Sequence, residues 1–136
     1  MIIKFKIWDK TEKYMKTTRQ AVNTIIQKFV LDTPDKENYE ALFYTQRKDR
    51  NGVEVYRHDV VRAIIKYVTG SPLEWSSIKT KEVVGVVEWN NKGWWYLKVL
   101  NDMFLKEVGF YAVEEIVEVL GNIHDNPKLL KKYSEE

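Results

Sequence analysis

The sequence predicts a mainly β protein: an SH3-like barrel or sandwich of antiparallel hairpins with one or two short helices, a β-rich α+β arrangement being the alternative. Three observations carry this. Residues 2–8 alternate apolar side chains with Lys4 and Lys6, the period-two signature of a half-buried strand. Asn51-Gly52 stands between apolar runs, and both residues tolerate the positive φ that a two-residue type I′ hairpin turn requires. Residues 83–100 repeat the arrangement, with a β-branched run, the turn-like Asn90-Asn91-Lys92-Gly93, and an aromatic return. At 136 residues the chain reads as one domain, 1–136. A chain of this size buries roughly two thirds of its unfolded surface.

Taken in order, Ile3, Phe5 and Ile7 share one face of the first strand, and Lys4 and Lys6 share the other, where Lys suits a sheet edge. Tyr14-Met15 suits its return strand. Residues 17–31 read two ways. Val22, Ile25, Ile26 and Phe29 have helical spacing with Thr18 as cap, and a helix is the preferred reading, with an extended one beside it. Pro34 ends the element in either case. Residues 42–45 suit a pleated surface, 46–49 are polar, and Val53, Val55 and Tyr56 form the return strand after the turn. Arg57-His58-Asp59 is a second break. Residues 60–68 then place Val61, Ala63, Ile65 and Tyr67 on one strand face, opposite Arg62 and Lys66. Residues 73–81 are a connection that Trp75 anchors. In the strand at 83–89, Gly85 marks a bulge or a close backbone approach. Trp95, Leu97 and Val99 share one face of the next strand, with Trp94, Tyr96 and Lys98 opposite. Residues 101–109 read as a short helix or a ragged strand. A last strand starts near Ile116, although Val113, Ile116, Val117 and Leu120 also fit a helix face. Pro127 opens a terminal helix capped by Asn126, which Leu129, Leu130 and Tyr133 pack down.

Several of these segments also occur together elsewhere. Tyr44-Thr45, Lys48-Asp49, Asn51-Gly52, Tyr56 and Asp59-Val60-Val61 keep a shared register. They are preceded by Ile3-Lys4-Phe5-Lys6-Ile7-Trp8-Asp9-Lys10 and followed by Gly85-Val86-Val87-Glu88-Trp89. The last segment is Val119-Leu120-Gly121-Asn122-Ile123-His124-Asp125-Asn126-Pro127 with Lys128-Leu129-Leu130. In this the chain resembles the YopX-like family of phage and prophage proteins, over nearly its whole length. The resemblance implies a mainly β, SH3-like fold in a phage or prophage protein, and no particular biochemical activity. It is also what favours the strand near Ile116 and an extended reading of 17–31. Gln46 and His58 stand where the family often has Gly, so altered backbone conformations are expected there.

Composition excludes several chemistries. There is no Cys, hence no disulfide, no thiolate metal site and no Cys nucleophile. No apolar run approaches the roughly 18 residues of a membrane span. The start of the chain does not resemble a signal peptide, so a soluble cytoplasmic protein without membrane contact is expected. His58 and His124, the only two histidines, lie far apart in sequence, each beside an Asp in a turn, and read as surface turn residues without metal. The serines lack a nucleophile-elbow context, and the six glycines form no phosphate loop. Glu114, Glu115 and Glu118 read as a solvated face. No catalytic residue, cofactor or metal site is assigned, and an enzyme is not expected.

Two function classes remain. Aromatic-rich β surfaces, with five Trp and eight Tyr in the chain, suit a noncatalytic binding or assembly module, partnered by a second copy or by a host or phage protein. The alternative is single-stranded nucleic-acid binding. Arg47, Lys48, Arg50, Arg57 and Arg62 cluster around the central hairpin and suit phosphates, while Trp94 and Tyr96 suit unpaired bases. The net charge of +2 favours neither.

Overall fold

A computed structural model of the chain describes residues 4–16, 39–68 and 78–134. The described residues form nine strands: β1 Phe5–Asp9, β2 Tyr14–Lys16, β3 Tyr39–Lys48, β4 Glu54–Tyr56, β5 Asp59–Val68, β6 Ile78–Asn90, β7 Trp94–Val99, β8 Glu107–Gly109 and β9 Val113–Asn122. A 3-10 turn at Phe110–Ala112 precedes β9, and helix α1, Lys128–Ser134, follows it. The fold is mainly β, as expected. All pairings are antiparallel, in a four-stranded sheet ordered β2-β1-β3-β4 and a five-stranded sheet ordered β8-β7-β6-β5-β9.

The alternation read from sequence decides which side chains are buried. Val61, Ala63 and Ile65 of β5 meet Val83 and Val87 of β6, Leu97 and Val99 of β7 and Ile116 of β9 in one core, which Val55 of β4 completes. The opposite face of the five-stranded sheet carries a smaller cluster, Val60, Val84 and Val86. Leu129, Leu130 and Tyr133 of α1 pack down on it, as expected. Gly85 makes a close backbone approach rather than a bulge: a side chain there would meet the Lys98 carbonyl oxygen at 3.1 Å. The register of β6 runs through it unbroken.

β1 lies between β2 and β3, but β2 pairs only with Ile7, Trp8 and Asp9, so Lys4 and Lys6 lie beyond that pairing. Lys4 pairs with Glu54 at 2.9 Å, and Lys6 lies over the Tyr56 ring. Several expectations are corrected. β6 begins at Ile78, inside the supposed connection, because Ile78 to Lys81 pair along β5. Strand β9 begins at Val113, which excludes the helical reading there. The side chain of Asn126 turns back to accept from Asn122 N at 3.3 Å instead of capping α1. The readings of 17–31 and of Trp75 fall outside the described residues.

The central hairpin also differs from a two-residue turn. Asp49 N donates to Val53 O at 2.8 Å and Gly52 N to Asp49 O at 3.0 Å, enclosing a three-residue loop in which Gly52 alone has positive φ, at 84°. The cause is Asp49. Its buried carboxylate accepts from Asn51 N at 2.9 Å and Val53 N at 2.8 Å, and from Val119 N of β9 at 3.0 Å. Arg50 N donates to Ile116 O at 2.9 Å, a second tie from hairpin to β9.

Gln46 and His58 have positive φ, 70° and 71°, the region that glycine reaches most easily. Around Gln46 the β3–β4 register shifts, and Thr45 Oγ1 donates to Val55 O at 2.8 Å and accepts from Arg47 N at 3.2 Å. That bulge holds Gln46 in place.

Burial raises the Asp49 pKa most strongly of any single influence, but the backbone N–H bonds together outweigh it and leave the carboxyl below its usual value. A depressed folded pKa contributes stability that is present above the unfolded value and lost as pH falls through the folded one. Asp49→Ala strands the N–H groups of Asn51, Val53 and Val119 and is expected to cost roughly 3 kcal/mol or more. In urea titrations the gap between wild type and variant is expected to hold at neutral pH and to shrink below about pH 4.

Candidate functional site

The site forms where β3, the β4–β5 turn and the end of β9 meet. Along β3, Glu40 pairs across from Trp8 of β1. The turn at Arg57-His58 is held on several sides. Arg57 N donates to Phe43 O of β3 at 3.0 Å, His58 N donates to Val87 O of β6 at 2.8 Å, and His58 O accepts from Ile123 N at 3.0 Å. Asp59 closes the turn by accepting from Tyr56 N at 2.8 Å. After β9, Asn122 Oδ1 accepts from His124 N at 3.0 Å and from Asp125 N at 2.8 Å, an Asx turn that presents His124.

These supports bring together residues far apart in the chain. His58 Nδ1 and His124 Nε2 are 2.9 Å apart. Glu40 Oε1 is 3.7 Å from His58 Nδ1, and Glu40 Oε2 is 3.8 Å from His124 Nε2. On its other side, His58 Nε2 is 3.5 Å from Glu88 Oε1. Trp8 stacks on His124 with ring centroids 4.9 Å apart. His58 is buried, at 6% exposure. Both histidines do occupy turns beside an Asp. The reading of two separate surface residues is nevertheless corrected, because antiparallel pairing of β5 with β9 sets Asp59 opposite Asn122 and so brings the two turns together.

Burial, followed by His58, pulls the His124 pKa below the usual imidazole value, against Glu40 and Asp125. Burial raises Glu88, but the His58 hydrogen bond and the charges of His58, Arg57 and Lys98 outweigh it and leave Glu88 below its usual range. Burial pushes Asp59 up to about 7, opposed by the Tyr56 N–H and by Lys6 and His58. The convergent set is two imidazole nitrogens and one carboxylate, a composition that suits divalent transition ions.

The residues expected to contact nucleic acid do not form one face of available charge. Arg50 makes a two-pronged pair with Glu115, at 2.7 and 3.0 Å. Arg62 lies between Glu82 at 3.0 Å and Glu118 at 3.2 Å. Arg47 is spent on the carbonyls of Phe110 at 3.4 Å and Val113 at 3.2 Å, and burial lowers its pKa. Lys48 and Trp94 are exposed, and Tyr96 is half-buried. The acidic cluster is therefore not merely solvated: Glu115 and Glu118 take Arg50 and Arg62, and Glu114 takes Lys66 at 2.8 Å.

Arg57 stands apart from these pairs. It lines an open cleft of about 360 Å³ with Phe43, Trp89 and Trp95. Among the described residues its Nε is buried without a hydrogen-bond partner, with Glu88 Oε2 3.8 Å away. Phe43 and Trp89 are exposed, at 47% and 39%. Nothing in the sequence singles out Glu40, Glu88, Trp8, Phe43 or Trp89 as site residues. Glu40 and Phe43 sit in an ordinary strand pattern, and only the pairing of β3 shows where they lie.

Fold and site together define a class: a two-sheet antiparallel β protein with a histidine–carboxylate cluster where its sheets meet. The chain belongs to the YopX protein family, whose model matches residues 4–131. No curated protein matches it. Among solved structures it is similar to that of protein EF1440 from Enterococcus faecalis, with 18% identity and a TM-score of 0.52, over 96% of this chain and 99% of the other. That likeness concerns the fold alone. Among the described residues no helix is long and apolar enough to cross a membrane.

Gly121 has φ 153°, and a Cβ there would collide with the side chain of Asn126. Gly121→Ala is therefore expected to displace the loop that presents His124. The expected readouts are a loss on the order of 2 kcal/mol in chemical denaturation and shifted His124 ring resonances in NMR spectra, with the resonances of the main core little changed.

Proposed function

We propose that this YopX family member is a noncatalytic binding or assembly protein of phage or prophage origin, which holds a protein partner through the cleft of Phe43, Arg57, Trp89 and Trp95. One observation carries the reading: most of the basic residues near the hairpin are engaged internally, whereas the aromatic cleft is open. Arg50 and Arg62 are matched by carboxylates and Arg47 by carbonyls. Phosphate contacts need cations that are still available. A protein interface needs what the cleft offers, namely exposed aromatic rings beside one guanidinium. An aliphatic or aromatic side chain seated between Phe43 and Trp89, with a carboxylate or carbonyl facing Arg57, fits that chemistry.

The test is native mass spectrometry of the tagged protein purified gently from a bacterial host. A stoichiometric protein partner, or a second copy, is expected in wild type and is expected to be lost in Phe43→Ala and Trp89→Ala. Both residues are exposed, so melting temperatures within a few degrees of wild type are expected. Salt-sensitive retention of oligonucleotides, abolished by Arg57→Ala, would instead establish the nucleic-acid reading.

A further inference from the structure

We propose that Glu40, His58 and His124 form a binding site for a divalent transition ion, Zn²⁺ foremost, with Glu88 orienting His58 from behind. The site is separate from the partner-binding cleft and does not rest on that reading.

The geometry is close to what the ion needs. A tetrahedral Zn²⁺ with bonds of about 2.0–2.1 Å separates its ligand atoms by about 3.3–3.4 Å. The imidazole nitrogens are 2.9 Å apart, Glu40 Oε1 is 3.7 Å from His58 Nδ1, Glu40 Oε2 is 3.8 Å from His124 Nε2, and one donor atom from each residue lies within 4.8 Å of the other two. Side-chain rotations of Glu40 and the two rings would bring one carboxylate oxygen and both nitrogens to that edge length. Two imidazoles and one carboxylate make a known zinc donor set with a fourth position left for water.

The surroundings agree. A metal-bound histidine commonly donates its other ring N–H to a carboxylate, and Glu88 Oε1 stands 3.5 Å from His58 Nε2. With that proton on Nε2, His58 Nδ1 carries a bare lone pair aimed toward His124 Nε2 and Glu40. A hydrogen bond between the imidazoles would use the one proton between them and leave the Glu40 carboxylate, at 3.7 and 3.8 Å, beyond hydrogen-bond reach of either ring. One cation satisfies all three donors.

The backbone supplies an independent observation. His58 sits at φ 71°, buried, in a conformation that glycine adopts without strain. A side chain held there is strained and persists only where surrounding structure enforces it. The bonds to Val87 O and Ile123 N supply that enforcement. What the chain gains over glycine at this position is the imidazole. The ligands come from β3 of one sheet, from the turn entering β5, and from the loop leaving β9, so a bound ion would tie the two sheets together.

The experiment uses the full chain, stripped with a chelator and desalted. Zn²⁺ is titrated against a chromogenic chelator, and Co²⁺ is added separately for its visible spectrum. One equivalent of Zn²⁺ is expected, together with intense visible Co²⁺ bands of a four-coordinate site. Glu40→Gln and His124→Gln are expected to weaken Zn²⁺ binding at least tenfold and to abolish the Co²⁺ bands. His58→Gly removes a ligand while favouring the backbone, so it is expected to stay folded and bind no ion. Glu88→Gln is expected to weaken binding about tenfold through His58 alone. Saturating Zn²⁺ at ~100 times its Kd is expected to raise the wild-type melting temperature by on the order of 10 °C, and to leave His58→Gly unchanged. Failure of wild type to take up Zn²⁺ would overturn the proposal and leave a hydrogen-bonded histidine pair. Equal uptake by wild type, His58→Gly and His124→Gln would overturn it by placing the ion elsewhere.

Discussion

The turn from Tyr56 to Asp59 is the constraint on which the arrangement of sheets depends. Arg57 and His58 carry bonds to β3, to β6 and to the segment after β9, and the Asp59 carboxylate accepts from Tyr56 N to close the turn on itself. Each of these backbone groups would otherwise need water or a side chain, and burial here offers little of either. The turn therefore does more than reverse the chain from β4 into β5. It fixes the separation between the two sheets, and so decides which side chains of β3 meet those at the end of β9. Asp49 acts in the same way in the preceding hairpin, with a single carboxylate spanning its own loop and the N–H of Val119. Two acidic side chains thus position three strands whose apolar faces alone would permit sliding.

Much of the fold is legible in the sequence because period-two patterns report burial directly. Val61, Ala63 and Ile65 point inward for the reason their spacing suggests, and Leu97 and Val99 do likewise. The family resemblance adds what spacing leaves open, such as strand rather than helix in β9. Sequence misleads where a backbone conformation depends on a distant bond. Asn51-Gly52 has the composition of a two-residue turn, yet the Asp49 carboxylate stabilises a longer loop. Gln46 and His58, as non-glycine residues, favour a departure from a glycine-like conformation. Their φ angles instead obey the bonds around them, because tertiary hydrogen bonding outweighs an intrinsic preference of about 1 kcal/mol.

The site is less legible, for a different reason. Sequence shows charges but not their partners. Both the basic group around the hairpin and the acidic group at 114–118 are visible in it, and each looks like an available face. The register of β5 with β9 puts Arg62 opposite Glu118 and Ile64 opposite Glu115, so the two groups largely neutralise each other. Such exposed pairs contribute little stability, about 0–1 kcal/mol each, but they remove cations from the surface. The histidines pose the inverse problem. They are 66 positions apart, and nothing local in either turn announces the other. Only the pairing that sets Asp59 against Asn122 makes them neighbours.

Cleft and cluster are built from different residues, but Glu88 stands between Arg57 of the one and His58 of the other. One of its oxygens faces His58 Nε2 at 3.5 Å, and the other stands 3.8 Å from Arg57 Nε. A carboxylate placed between an imidazole and a guanidinium is stabilised by both, which accounts for its acidity despite partial burial. The Arg57 contact is too long for a hydrogen bond, whereas a group entering the cleft can approach the guanidinium more closely. Such a group would compete for Arg57, and Glu88 would then lean more heavily on His58. Because the backbone of His58 is fixed from both sides, that added pull acts on the ring and its proton rather than on the fold. A short stretch of sequence, Arg57-His58, thereby places one side chain in each feature and leaves a single carboxylate to mediate between them.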